Sequence, residues 1–185
     1  MAAEYLPTPR LASRWRWLAS GLWAHLRRHM LGYVVPILGT VVLTHYFTLA
    51  LNLSESLKGH VFLVAKQANR LGDFSRGDYI TFRWHGGGGK PAGIWFTKIV
   101  RGVPGDEVTA QGPDGRTIAV HGQIIGFAKP LSRDGKIALE PALPGLVPDR
   151  SFFVAGTHPD SLDSRYRVGG YVQEGEIIGK AWLLW

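Results

Sequence analysis

Ala92-Gly93-Ile94-Trp95-Phe96-Thr97-Lys98-Ile99-Val100-Arg101-Gly102 is rich in β-branched and aromatic residues and is bounded by glycines. That pattern predicts a strand, and successive side chains of a strand point to opposite faces. Ile94, Phe96, Lys98 and Val100 then share one face, which sets an ammonium group among apolar side chains. A lysine held there is pushed toward its neutral form. The neutral amine is a base strong enough to take the proton of a serine hydroxyl. In the competing reading the lysine threads its stem past apolar neighbours and keeps its charge in water. This segment alone does not choose between the two.

The same texture extends on both sides. HVFLVAK (60–66), DYITFRW (78–84), RTIAVHG (116–122), SFFVAG (151–156) and EIIGKAWLLW (176–185) are short β-type runs. Turn residues separate them: Gly86 to Gly89, Pro113-Asp114-Gly115 and Arg133-Asp134-Gly135. After residue 52 there is no amphipathic helix of useful length. Many short strands in such a span predict a mainly β fold, an antiparallel β-rich domain built as a barrel or as packed sheets.

Leu31 to Leu51 is different. LGYVVPILGTVVLTHYFTLAL has no Asp, Glu, Lys or Arg, and at about 1.5 Å per residue it is long enough to cross a bilayer as a helix. Pro36 and Gly39 are tolerated in such helices. The run is too long and starts too late for the apolar region of a cleaved leader. Arg10, Arg14, Arg16, Arg27 and Arg28 precede it against Glu4 alone, so the positive-inside rule places the N-terminus in the cytoplasm. The stretch Trp15–His29, which interleaves tryptophan, leucine and arginine, is suited to lie on the inner leaflet. The expected organisation is a basic cytoplasmic segment 1–30, a transmembrane helix 31–51 and a domain 52–185 beyond the membrane. In a bacterium that means a single-pass inner-membrane protein with its domain in the periplasm.

Composition excludes several chemistries. The chain has 185 residues and no cysteine, hence no disulfide, thiolate metal site or cysteine nucleophile. Its net charge of +7 is concentrated before the apolar run, which points to membrane topology rather than nucleic acid. No residues have metal-ligand spacing, and no glycine-rich loop opens a helix for a phosphate. No cofactor is expected. His60, His85, His121 and His158 are read as surface or strand histidines. His85-Gly86-Gly87-Gly88 mimics an esterase oxyanion loop, but without a Gly-x-Ser-x-Gly elbow it reads as a hairpin turn.

Two polar clusters remain. Asn52-Leu53-Ser54-Glu55-Ser56-Leu57-Lys58-Gly59-His60 joins the anchor to the first strand. Ser56 is five residues past Leu51, so a reactive hydroxyl there stands at most roughly 17 Å from the apolar segment. Ser54, on the same side of an extended chain, could help bind an oxyanion formed at Ser56, together with the N–H of Ser56. The second cluster, Gly156-Thr157-His158-Pro159-Asp160-Ser161-Leu162-Asp163-Ser164-Arg165-Tyr166, follows the run 151–155. In an extended stretch Ser161, Asp163 and Arg165 point the same way. An Asp–Arg pair can then fix the loop, and Ser161 can orient the amine of Lys98.

In this order the segments resemble the type I signal peptidases, membrane-bound serine proteases with a Ser/Lys dyad. Lys98-Ile99-Val100-Arg101-Gly102-Val103-Pro104-Gly105-Asp106 matches the family's Lys-x-x-x-Gly-x-Pro-Gly-Asp box without a gap. Ser161-Leu162-Asp163-Ser164-Arg165 matches the end of the Gly-Asp-Asn…Ser-x-Asp-Ser-Arg box. Ser54-Glu55-Ser56-Leu57 matches part of the serine box. The run Ser56–Val64 looks most like the TraF-type branch, which matures conjugative pilins. The resemblance implies Ser56 as nucleophile, Lys98 as general base, and Ser54 with Ser56 as the oxyanion hole. It implies Ser161 as the residue orienting the lysine, with Asp163 and Arg165 as support. The implied partners are the bilayer and a precursor protein, cut after a small residue and in some members cyclised. Two departures stand out. Lys58 replaces the usual proline, which predicts a less constrained turn, and Thr157-His158 replace Asp-Asn. The rival readings are a non-enzymatic membrane-anchored β module of a secretion or conjugation assembly and a self-cleaving Ser/Lys regulator. Residues 1–30 are too short and too aromatic for the DNA-binding helices the latter needs.

Overall fold

A computed structural model describes residues 10–66 and 74–185, and over 10–18 the backbone alone. The sequence reading of Glu4, and of the Trp15 and Trp17 side chains, falls outside what is described. The chain divides into two units, Met1–Thr44 and His45–Trp185.

The first unit is helical. α1 runs Arg10–Tyr46, straight through Pro36. Within it Ala19–Tyr46 is long and apolar enough to cross a membrane, and none of its most apolar window is buried against protein. This helix differs from the expected one at both ends. It begins in the basic segment rather than at residue 31, and it stops at Tyr46. The last five residues of the apolar run, Phe47–Leu51, form strand β1 instead.

The second unit is mainly antiparallel β. β1 is followed by β2 (Val61–Ala65), β3 (Tyr79–Arg83), β4 (Trp95–Gly102), β5 (Glu107–Gln111), β6 (Thr117–Val120) and β7 (Gln123–Phe127). β8 (Gly145–Leu146), β9 (Ser151–Ala155), β10 (Val172–Gln173) and β11 (Ile177–Leu183) complete it. Seven strands make one sheet in the order β1-β2-β11-β3-β4-β9-β10, and four make a second in the order β7-β6-β5-β8. The expected runs all appear as strands; β1, β5, β7, β8 and β10 were not anticipated. Among the described residues, the only helical segment after β1 is a single 3-10 turn, Glu174–Glu176.

The alternation expected of β4 holds. Val100 is fully buried in a cluster with Ile80, Phe82, Trp84 and Val154, against which Ile94 and Phe96 pack. Ile99, one residue out of phase, packs instead with Leu57, Phe62, Val64 and Ala181. A third cluster, around Val108, Ile118, Val120, Phe153 and Tyr166, fills the second sheet. At each buried aliphatic or aromatic side chain, removal from water contributes about 1.5–3 kcal/mol.

Register positions the chemistry. β4 lies between β3 and β9, with Ile80 opposite Lys98, and Ile99 opposite Ala155. Lys98 is therefore beside the point where the chain leaves β9 for the Gly156–Tyr166 loop. Ser54 and Ser56 occupy the loop between β1 and β2, which pair antiparallel from Leu51↔Val61 to Phe47↔Ala65.

Candidate active site

A cavity of about 1110 Å³ is lined by Ser54, Ser56, Lys98 and Ser161. All four were singled out from the sequence, and they come from three separate stretches of chain.

The Lys98 side chain is only 3% exposed. Its Nζ donates a hydrogen bond to Ser161 Oγ at 2.8 Å and lies 5.3 Å from the centre of the Phe96 ring. Burial lowers its pKa from 10.5 to about 8; Asp163 pulls it back up, and Arg165 pushes it further down. The burial effect wins because the apolar wall supplies no acceptor able to replace the water an ammonium loses.

Ser56 Oγ and Ser54 Oγ are hydrogen-bonded at 2.8 Å. Among the described residues no hydrogen bond joins Ser56 directly to Lys98; at rest each has another partner. The Gly156–Tyr166 loop ties them together through the backbone. The N–H groups of Thr157 and His158 both donate to the Ser56 carbonyl, at 2.8 and 3.3 Å. A Cβ on Gly156 would stand 2.3 Å from Ser161 Oγ and 2.4 Å from Ser56 O, so only glycine lets the strand end pass this close to both.

The Asp163–Arg165 pair forms as the two-residue spacing suggested. It is bidentate, Nε to Oδ1 and Nη2 to Oδ2, both at 2.9 Å, with both residues buried. Asp163 also accepts the Gly156 N–H at 2.9 Å, and Arg165 Nη2 donates to the carbonyls of His158 and Ser161 at 3.1 Å. The pair thus clamps both ends of the loop that presents Ser161. At the end of the lysine box Asp106 accepts the Val103 N–H at 2.9 Å and pairs with Arg76. The Arg76 guanidinium holds the Asp106 carboxyl below the usual carboxylate range.

Three features of the site escaped the sequence reading. His158, taken for a surface histidine, lines the cavity; its Nε2 is 3.9 Å from Glu55 Oε2, and Arg133 pairs with the same carboxylate at 2.9 Å. The glycine run is the expected hairpin, with Gly87 and Lys90 exchanging both backbone bonds at 3.1 Å, but its tip also forms cavity wall. The third is Asn52. Its Oδ1 accepts both the N–H and the hydroxyl of Ser54, at 3.2 and 2.8 Å, and its Nδ2 donates to the carbonyls of Leu57 and Gly59. An asparagine bonded to the N–H two residues on is a recognisable turn signal, and it was available in Asn52-Leu53-Ser54. Among the described residues no group of His, Asp and Glu is arranged to hold a metal ion.

No curated protein matches the chain. Among solved structures it is similar to a signal peptidase I from Enterococcus faecalis V583, with 23% identity and a TM-score of 0.36 over 58% of this chain and 95% of that one. The family model described as "Signal peptidase, peptidase S26" matches residues 23–185, which takes in every box on which the resemblance rests. With that match spanning most of its length, the chain belongs to the signal peptidase family, peptidase S26.

Proposed function

We propose that this chain is a membrane-anchored serine endopeptidase in which Ser56 is the nucleophile and Lys98 its general base. The observation that carries the reading is the Lys98 amine, buried, oriented by Ser161 and lining the same cavity as Ser56. A pKa of about 8 leaves a useful fraction neutral near pH 7–8.

In this mechanism Ser56 Oγ attacks the scissile carbonyl carbon and its proton passes to Lys98 Nζ. The oxyanion is met by the Ser54 hydroxyl and the Ser56 N–H. The C–N bond then breaks, Lys98 returns the proton to the leaving amine, and an ester to Ser56 remains. Lys98 next takes a proton from water, which attacks the ester; the acyl C–O bond breaks and Lys98 returns the proton to Ser56 Oγ, which regenerates both groups. If the substrate's own amine takes the place of water, the product is cyclic. Ser161 accepts one Nζ hydrogen and so fixes where the lone pair points.

The substrate is a protein, as the family requires. The resemblance of Ser56–Val64 to the TraF-type branch supports a membrane-tethered precursor, a conjugative pilin, cut after a small residue. The arginines before residue 30 support a cytoplasmic N-terminus and a periplasmic catalytic domain at the inner membrane. Co-expression with a candidate precursor tests the dyad by mass spectrometry. Ser56→Ala, Lys98→Ala and Lys98→Arg should each abolish processing in a folded, membrane-bound protein, since a guanidinium stays charged and cannot act as a base. Processing by the Lys98→Arg enzyme would end the general-base assignment.

A further inference from the structure

We infer that Asn52 is a positioning residue that sets the direction of the hydroxyl chain at the nucleophile and holds Ser54 where an oxyanion forms. The inference rests on the Ser56/Lys98 reading above and adds a residue to it.

The polarity of the chain follows from which groups can donate. The carbonyl oxygens of Leu57 and Gly59 only accept, so the end of the Asn52 amide that faces them, at 3.4 and 3.1 Å, is Nδ2. The opposite end, Oδ1, then faces Ser54, whose backbone N–H can only donate and does so at 3.2 Å. Both ends agree, so the amide orientation is fixed. Oδ1 has no hydrogen to give, so the 2.8 Å contact with Ser54 Oγ requires the Ser54 hydrogen. A hydroxyl has one hydrogen. The 2.8 Å contact between Ser54 Oγ and Ser56 Oγ is therefore donated by Ser56. At rest the chain runs Ser56 O–H to Ser54 O–H to Asn52 Oδ1.

This arrangement has two consequences. Ser54 is held by two bonds to one acceptor, which selects a single rotamer and keeps its Oγ beside the atom that becomes the ester oxygen. Its hydrogen is parked on Asn52 until attack, when Ser56 stops donating and a negative oxygen appears next to Ser56 Oγ. An oxyanion is a stronger acceptor than an amide, so the Ser54 hydrogen swings to it while the N–H bond to Oδ1 keeps Ser54 in place. Without Asn52 the hydroxyl is free to occupy rotamers that do not reach the oxyanion.

The test uses the full chain in detergent micelles and a fluorogenic peptide with an Ala-x-Ala run before the scissile bond. Loss of an oxyanion donor costs about 10²–10³ in kcat, which is the expectation for Ser54→Ala. Asn52→Ala is expected to lower kcat about tenfold with KM unchanged, and to lower it less than about twofold further in the Ser54→Ala background, because Asn52 acts through Ser54. A full tenfold loss in both backgrounds, or a loss confined to KM, would show that Asn52 only braces the turn and would overturn the inference. Should Asn52→Ala fail to fold, Asn52→Leu, close to asparagine in shape but with no atom able to accept from Ser54, serves the same cycle. Cleavage by Ser56→Ala would instead overturn the dyad reading itself. An intact dyad with additive Asn52 and Ser54 effects overturns this inference alone.

Discussion

The Phe96 ring acts on Lys98 with two opposite signs, and two substitutions separate them. Its face, 5.3 Å from Nζ, attracts an ammonium, an effect of about 0.5–1 kcal/mol. Its bulk, stacked on Trp84 at 4.9 Å, keeps water from the same ammonium. Desolvation is the larger influence. The fall from 10.5 to about 8 corresponds to roughly 3 kcal/mol of selective destabilisation of the charged form. Phe96→Leu removes the ring face and keeps most of the apolar wall, so the pKa should fall by about half a unit. Phe96→Gln removes the face but admits an amide oxygen and water. Restoring half of the ~3 kcal/mol outweighs the lost ring attraction, so the pKa should rise by roughly half a unit. The assay is the initial rate of peptide cleavage from about pH 6 to 10, where the acidic limb reports the base. Only the neutral amine accepts a proton, so activity rises as pH climbs through the folded pKa. The limb should move to lower pH in Phe96→Leu and to higher pH in Phe96→Gln. Limbs that move the same way, or stay put in enzymes with unchanged folded spectra, would show that Phe96 does not set the environment of the base.

The same burial affects stability. A lysine whose folded pKa lies below its unfolded value destabilises the fold below about pH 8, and the penalty disappears as pH rises toward 10.5. Lys98→Met should therefore be more stable than the parent at pH 7, by up to about 3 kcal/mol, and the gap should close by pH 10–11; urea unfolding at the two pH values checks both. Gly156→Ala should cost at least about 10²-fold in activity, because its methyl collides with Ser161 Oγ and Ser56 O, while membrane insertion, read by fractionation, stays normal. A reporter active only in the periplasm should work fused after Trp185 and fail fused before Met1; the reverse pattern would refute the orientation read from the arginines.

What could be read from the sequence was what local spacing encodes. The period of two in 92–102 put Lys98 on the face of Phe96 and Val100, and the two-residue step from Asp163 to Arg165 anticipated their ion pair. The end of α1 could not be read this way. Phe47–Leu51 is as apolar as a lipid-facing helix, and what makes it a strand is pairing with Val61–Ala65, ten or more residues away. β5 and β7 were missed for a related reason. EVTAQ sets only Val108 and Ala110 among polar residues, and in QIIGF the apolar run is interrupted by Gly126, where the pairing register also shifts. His158 was missed because it grips Ser56 through its backbone N–H, a group every residue but proline carries.

Lys58 shows how a departure from a family pattern can be absorbed elsewhere. Proline at that place would stiffen the turn after Ser56 by locking φ, and lysine suggests a looser turn. The structure shows other restraints on the same backbone. Asn52 Nδ2 bonds the carbonyls on both sides of Lys58, those of Leu57 and Gly59. Gly59 adopts φ +106°, where a Cβ would meet Leu183 Cδ1 at 2.1 Å, so the turn is seated directly on β11. The N–H groups of His60 and Val61 both donate to the Trp185 main-chain oxygen, at 2.7 and 2.9 Å. Leu57, one residue after Ser56, is buried with Phe62 and Ile99. The lysine side chain itself is exposed and free of that task. The turn is restrained by hydrogen bonds and packing rather than by a ring, and the group that replaces the ring, Asn52, is also the one that aims Ser54.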